Sequence, residues 1–194
     1  MARPREFDRD EVLKRAMEVF WAKGYAATST DDLIKAMKLG RQSFYNAFGD
    51  KRTMYVEALD AYQRGTTAGH LKRLDEPASA LDGIRSLLTG LIAEDDIVRD
   101  RGCMGVGSVS EFGTADEALV ARRSGVNATL GLRIGERIRE GQASGELDPD
   151  LAPEEATAFI QLTMTGLQLA ARAGAGLEDL RSMGRFAAER LRRR

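Results

Sequence analysis

Residues 28–51 read TSTDDLIKAMKLGRQSFYNAFGDK, and no other stretch constrains the fold as tightly. The segment predicts two short helices joined by a tight turn, followed at once by the start of a third. Ser29 suits the N-cap of the first, and Asp32 three residues on completes a variant of the capping box, which usually has Glu or Gln there. Leu33, Ala36 and Met37 supply its inward stripe, and Gly40 is expected to break the run after Leu39. The second helix is expected over 41–48, with Phe44 and Phe48 one helical turn apart and directed into a core. Arg41, Gln42, Ser43, Tyr45 and Asn46 then occupy its other faces. A helix that hides two Phe rings and presents a guanidinium, amides, a hydroxyl and a phenol suits the DNA major groove, where base edges are read by hydrogen bonds.

The rest of the chain reads as helix throughout. Asp8 and Glu11 begin a helix carrying Val12, Ala16, Val19 and Phe20, which Gly24 ends. A long helix is expected from Asp50 to Leu74. Pro77 is expected at the first position of the next, which runs to about Asp95. Residues 102–112, GCMGVGSVSEF, are the ambiguous segment: three glycines lower helix propensity, and Val106 and Val109 would also suit a strand. Further helices are expected over 115–144, 153–173 and 177–192. The helix from Pro153 is apolar in almost every direction, through Phe159, Ile160, Leu162, Met164, Leu167 and Leu169. Such a helix must be buried on all sides, which implies a partner subunit as well as its own core. The last helix has one apolar stripe and a basic end at Arg190, Arg192, Arg193 and Arg194.

Several classes are excluded. One cysteine, Cys103, rules out an intrachain disulfide, and with one histidine it rules out a Cys/His zinc framework; no metal site and no cofactor are expected. The longest uncharged run, 156–171, carries three Thr and two Gln and is shorter than a membrane span needs. No membrane partner is therefore expected, and with no signal peptide legible the expected location is cytoplasmic. The net charge of −1 divides unevenly, with residues 1–52 at +3 and the remainder at −4. Acidic residues of the first part fall in first helical turns, which leaves its cations freer to face phosphates.

The run from Ala16 to Leu59, AMEVFWAKGYAATSTDDLIKAMKLGRQSFYNAFGDKRTMYVEAL, resembles the DNA-binding domain of the tetracycline-repressor (TetR) family of bacterial transcription regulators. The resemblance implies an all-α fold with an N-terminal three-helix, helix-turn-helix DNA-binding domain at 1–52. A linking helix at 50–74 would join it to a C-terminal effector-binding and dimerisation domain at 75–194. Carried over by position, Thr28, Ser29 and Thr30 would hold a phosphate at the second helix's N-terminus, and Tyr45 and Lys51 would contact phosphates. Arg41, Gln42 and Ser43 would read bases, and Asn46 would meet the backbone. Gly40 departs from the Ser or Thr cap frequent in the family, so a looser start to the recognition helix is expected.

The implied function is that of a homodimeric, ligand-responsive repressor, not an enzyme. Its partners would be a pseudo-palindromic double-stranded DNA operator, a small apolar or aromatic effector, and a second subunit met through the last two helices. Met104, Phe112, Phe159, Met164 and Gln168 are candidates to line the effector pocket. Phe20, Trp21 and Tyr25 are read as core and domain bracing, and His70 as a surface or packing residue. Arg3 and Arg5 could enter a minor groove. One variant of this reading and two alternatives of other classes stand beside it. Cys103, with Arg99 and Arg101 nearby, could sense oxidants or electrophiles. A Cys103 nucleophile would need His70 as its base. A helical ligand-binding protein could lack DNA function altogether. The operator, the effector and the regulated genes are not legible.

Overall fold

The structure, a computed structural model, describes residues 7–193, so the readings of Arg3, Arg5 and Arg194 fall outside the described residues. Among the described residues ten helices follow one another. α1 (Arg9–Lys23), α2 (Thr30–Met37) and α3 (Arg41–Phe48) form a small head, and α4 (Lys51–Asp75) leads into a body. The body comprises α5 (Ala80–Gly90), α6 (Asp96–Arg101), α7 (Met104–Phe112), α8 (Glu117–Ala143), α9 (Pro153–Arg172) and α10 (Leu177–Glu189). The one pairing of extended backbone among the described residues is the Leu147–Arg192 bridge, which ties the α8–α9 connection to the chain end.

Local chemistry accounts for the head. Asp8 accepts the N–H groups of Asp10 and Glu11 at 2.9 and 3.3 Å, and Val12, Ala16 and Phe20 form the buried stripe of α1. Phe20, Leu33, Met37, Phe44 and Phe48 close a core with Tyr55 and Leu59 of α4. Burying each Phe ring contributes about 1.5–3 kcal/mol. α4 is 25 residues long, about 38 Å. It enters the head core with Tyr55, Leu59 and Tyr62 and the body core with Leu74. The body core gathers Ile84, Leu87 and Leu88 of α5, Ile134 and Ile138 of α8, Ile160 of α9 and Leu180 of α10.

Three expectations change, and one open segment takes a definite form. α2 stops at Met37, before Gly40: Lys38 adopts a left-handed conformation (φ 55°), and its N–H closes on the Ile34 and Lys35 carbonyls. Pro77 does not open the next helix. Ser79 caps α5 by accepting the Asp82 N–H at 3.1 Å, and buried Arg137 draws the Pro77 and Ser79 carbonyls to its guanidinium at 2.8 and 2.9 Å. The α5 helix ends at Gly90, because Gln168 and Arg99 engage the carbonyls of Leu91, Ala93 and Glu94 and hold 91–95 as a loop. Residues 104–112 are helical. Met104, Ser108 and Phe112 recur at four-residue spacing on the side facing the head, and that packing overrides the weak propensity of the glycines.

Gly102 makes the turn into α7 possible. Its φ is +60°, and a Cβ there would lie 2.9 Å from the Gln168 carbonyl oxygen. No helix among the described residues is long and apolar enough to cross a membrane, and no three or more of their His, Cys, Asp and Glu side chains cluster as metal ligands would.

Candidate nucleic-acid interface and the cleft behind it

α3 delivers the expected face. Phe44 and Phe48 are buried, while Arg41, Gln42, Tyr45 and Asn46 are exposed, and Ser43 is half-buried. Gly40 provides no side-chain cap, as its composition foretold. Gln42 donates to the Asn46 carbonyl at 2.9 Å, which pre-aligns two amides along one ridge. Arg41 forms an exposed ion pair with Asp31 on α2. That pair adds little to stability, so the guanidinium can exchange partners at small cost. The Tyr45 ring rests edge-on against Phe44 at 5.3 Å, its phenol directed outward.

The helix-start residues divide. Ser29 and Asp32 form the reciprocal box: the serine hydroxyl accepts the Asp32 N–H at 3.0 Å, and the carboxylate accepts the Ser29 N–H at 3.0 Å. A Lys23 hydrogen bond first, then the Ser29 backbone and hydroxyl, holds the Asp32 carboxyl well below the usual carboxylate range. Thr30 is half-buried at the first position of α2, where its N–H has no intrahelical acceptor. Thr28 departs from the expected phosphate role. It is buried, and its hydroxyl donates to the Gly24 carbonyl at 2.6 Å, leaving nothing to offer outside.

Lys51 also departs from expectation. Its ammonium turns inward, donates to the Tyr25 and Thr28 carbonyls at 2.9 and 2.8 Å, and lies 4.1 Å from the centre of the Tyr25 ring. It staples the α1–α2 turn to the start of α4. Its partners stand 26 and 23 residues away, so no local pattern marks this role. Lys38 is exposed in the helix-turn-helix turn, and its positive φ could not be read from sequence.

Behind the head lies a cleft of about 300 Å³ between α1, α4, α7 and α9. Of the candidate effector-pocket residues, Met104 and Gln168 line it. The other three do not. Phe112 packs on Tyr25 and Tyr55 at 5.2 and 5.5 Å, Met164 is buried in the body core, and Phe159 is 40% exposed. Phe20 and Trp21 brace the head as expected while presenting edges to the cleft. The Trp21 indole N–H donates to the Gly102 carbonyl at 2.9 Å. Glu111, which no sequence pattern marks, accepts the Tyr25 and Ala26 N–H groups at 2.9 and 2.7 Å, and so joins α7 to the α1–α2 turn.

Cys103 is the N-cap residue of α7 and is half-buried at the cleft. Arg99 does not line the cleft with it. That side chain is buried and spent on the Ala93 and Glu94 carbonyls and on Asp96. Burial first, then the neighbouring Cys103, pushes the Tyr62 phenol well above its usual range. His70 is a largely buried packing residue, and desolvation followed by the Arg73 charge lowers its pKa to about 4. It lies on α4 well away from the cleft residues in sequence and does not line the cleft with Cys103.

The description "Bacterial regulatory proteins, tetR family" matches residues 12–58. The chain is similar to an uncharacterized HTH-type transcriptional regulator, YezE, of Bacillus subtilis, at 38% identity over 112 residues, 57% of this chain and 58% of that protein. It is similar to the HTH-type transcriptional repressor ComR of Escherichia coli at 29% identity over 184 residues, 92% of this chain and 86% of that one. Among solved structures, a cysteine mutant of the TetR family regulator CifR, complexed with 26-bp double-strand operator DNA, superposes with a TM-score of 0.84. It is 32% identical, and the match covers 98% of this chain and 100% of that one. These relatives are transcriptional regulators, not enzymes. The capped α2, the two-faced α3 and the full-length similarity agree, and the chain belongs to the TetR family of bacterial regulatory proteins.

Proposed function

We propose that the protein is a homodimeric transcriptional repressor that holds a pseudo-palindromic operator through α3 and releases it when a small apolar or aromatic molecule binds. The observation that carries this reading is the face of Arg41, Gln42, Tyr45 and Asn46 exposed above buried Phe44 and Phe48. Functionally the chain divides into a reading head at 1–52, a link at 50–74 and an effector and dimerisation body at 75–194. Arg41, Gln42 and Ser43 read bases. Tyr45, Asn46, Ser29 and Thr30 meet the sugar–phosphate backbone, which for Ser29 and Thr30 means chiefly the N–H groups at the start of α2.

Dimerisation is supported by what α9 and α10 leave uncovered. Leu162 and Leu169 are 73% and 55% exposed in the single chain, and Met183 and Phe186 are 56% and 53% exposed. Large apolar side chains clustered on two adjacent helices mark an association face. A twofold dimer would set two α3 helices about 34–36 Å apart, one turn of DNA. The test is binding of the full chain to DNA flanking its own gene. A preference for one pseudo-palindrome is expected, and equal affinity for all sequences would overturn the operator claim. Leu162→Arg should yield a monomer by light scattering and lose operator binding with it.

A second reading rests on the Cys103 sulfur at the cleft, where an oxidant or electrophile could modify it and act on the same elements as a ligand. Cys103→Ser should then abolish an oxidant response while leaving operator affinity unchanged. An unaltered response removes this reading.

A further inference from the structure

The cleft behind the head has a chemical bias beyond its apolar walls. Phe20, Trp21 and Met104 line it together with Arg101 and Arg172. Among the described residues neither arginine meets a carboxylate; Arg101 lies over the Trp21 ring at 5.6 Å, and Arg172 donates to the Arg101 carbonyl at 2.8 Å. Among the described residues the one carboxylate lining the cleft is Glu111, and its oxygens are taken by the Tyr25 and Ala26 N–H groups. Guanidinium groups without a counter-ion beside aromatic walls favour an anion carried on an apolar body.

Glu111 is also built into a joint that tolerates little else. Gly24, which it abuts, has φ +80°, and a Cβ there would stand 2.6 Å from Glu111 Oε1. The turn it grips leads within three residues to Ser29, the cap of α2. Displacing the carboxylate therefore loosens the segment that orients α2 and α3.

We propose that this cleft between head and body takes a compact apolar or aromatic carboxylate, held by Arg101 and Arg172, whose arrival displaces Glu111 from the α1–α2 turn. A second negative charge in the cleft repels Glu111, and the apolar body separates α7 from α1. The head then loses two hydrogen bonds that fixed its orientation, and operator affinity falls by the difference in ligand affinity between the two arrangements. This inference rests on the repressor reading and names the effector class and its site.

Trp21 is the only tryptophan and lines the cleft, so its emission reports occupancy directly. The experiment titrates full-length protein with benzoate, hexanoate and decanoate, each beside its uncharged amide, at fixed pH and ionic strength. At least one acid should change Trp21 emission saturably and bind about tenfold or more tightly than its amide, and Arg172→Gln should weaken that acid about tenfold. In Glu111→Ala the acid should still bind, while operator affinity without ligand falls towards that of the liganded parent and responds little further. No saturable change with any acid, equal binding of acid and amide, or a Glu111→Ala protein regulated like its parent would each overturn the proposal. The repressor reading is judged separately by operator preference of the unliganded protein, which these results leave untouched.

Discussion

Replacing Lys51 with Met separates two roles that a lysine at this position could play. The ammonium donates at 2.9 and 2.8 Å to the Tyr25 and Thr28 carbonyls, and it lies 4.1 Å from the Tyr25 ring centre. Each hydrogen bond from a charged donor is worth about 1.5–3 kcal/mol. The site is only partly buried, so water re-solvates some of the freed carbonyl surface and the lower end applies. Lys51→Met, which removes both bonds, should therefore cost about 3 kcal/mol. Two-state thermal unfolding of a chain this size shifts by about 2–4 °C per kcal/mol, so the melting temperature should fall by about 6–12 °C. Circular dichroism melts at low and high salt measure it, and the loss should persist at high salt because the bonds are short and sheltered. A lysine acting only on phosphates would leave the free protein's melting temperature unchanged and lower the salt slope of operator binding by about one unit. That outcome would refute the stapling role.

Four further outcomes follow from the same geometry. His70, with a pKa lowered to about 4 from 6.5 by burial and Arg73, is held neutral in the fold. Its stabilising contribution is complete above pH 6.5 and declines as pH falls towards 4, by about 3 kcal/mol in all. Urea unfolding at a series of pH values should show this decline, and His70→Leu should flatten it. Phe44→Ala should destabilise the head by about 3–5 kcal/mol and abolish operator binding, read by chemical denaturation. Tyr45→Phe should leave the melting temperature within about 1 °C and weaken all sequences alike, whereas Gln42→Ala should change which base is preferred at one position by about 1–3 kcal/mol.

Features closed within one or two helical turns were legible in advance. The Ser29–Asp32 box spans three residues, the Phe44–Phe48 pair four, and both stand where the pattern put them. The TetR resemblance rested on that same contiguous run. What could not be read were side chains whose partners lie far along the chain. Thr28 and Lys51 look like surface donors in sequence, and only the folded turn shows that their hydrogen bonds are spent inside. Helicity of 104–112 depends on the face that Met104, Ser108 and Phe112 find in the head, a contact local propensity does not contain.

The sequence by itself determined an all-helical chain with a two-faced reading helix, because caps and hydrophobic spacing act over a few residues. The tertiary structure decided where a ligand could be felt. Glu111 reaches Tyr25 and Ala26 across 86 and 85 residues, and the cleft combines side chains from α1, α4, α7 and α9. Apolar spacing marks a residue as inward-facing, but whether it ends in packed core, as Met164 does, or at a cleft wall, as Met104 does, depends on which helix arrives opposite.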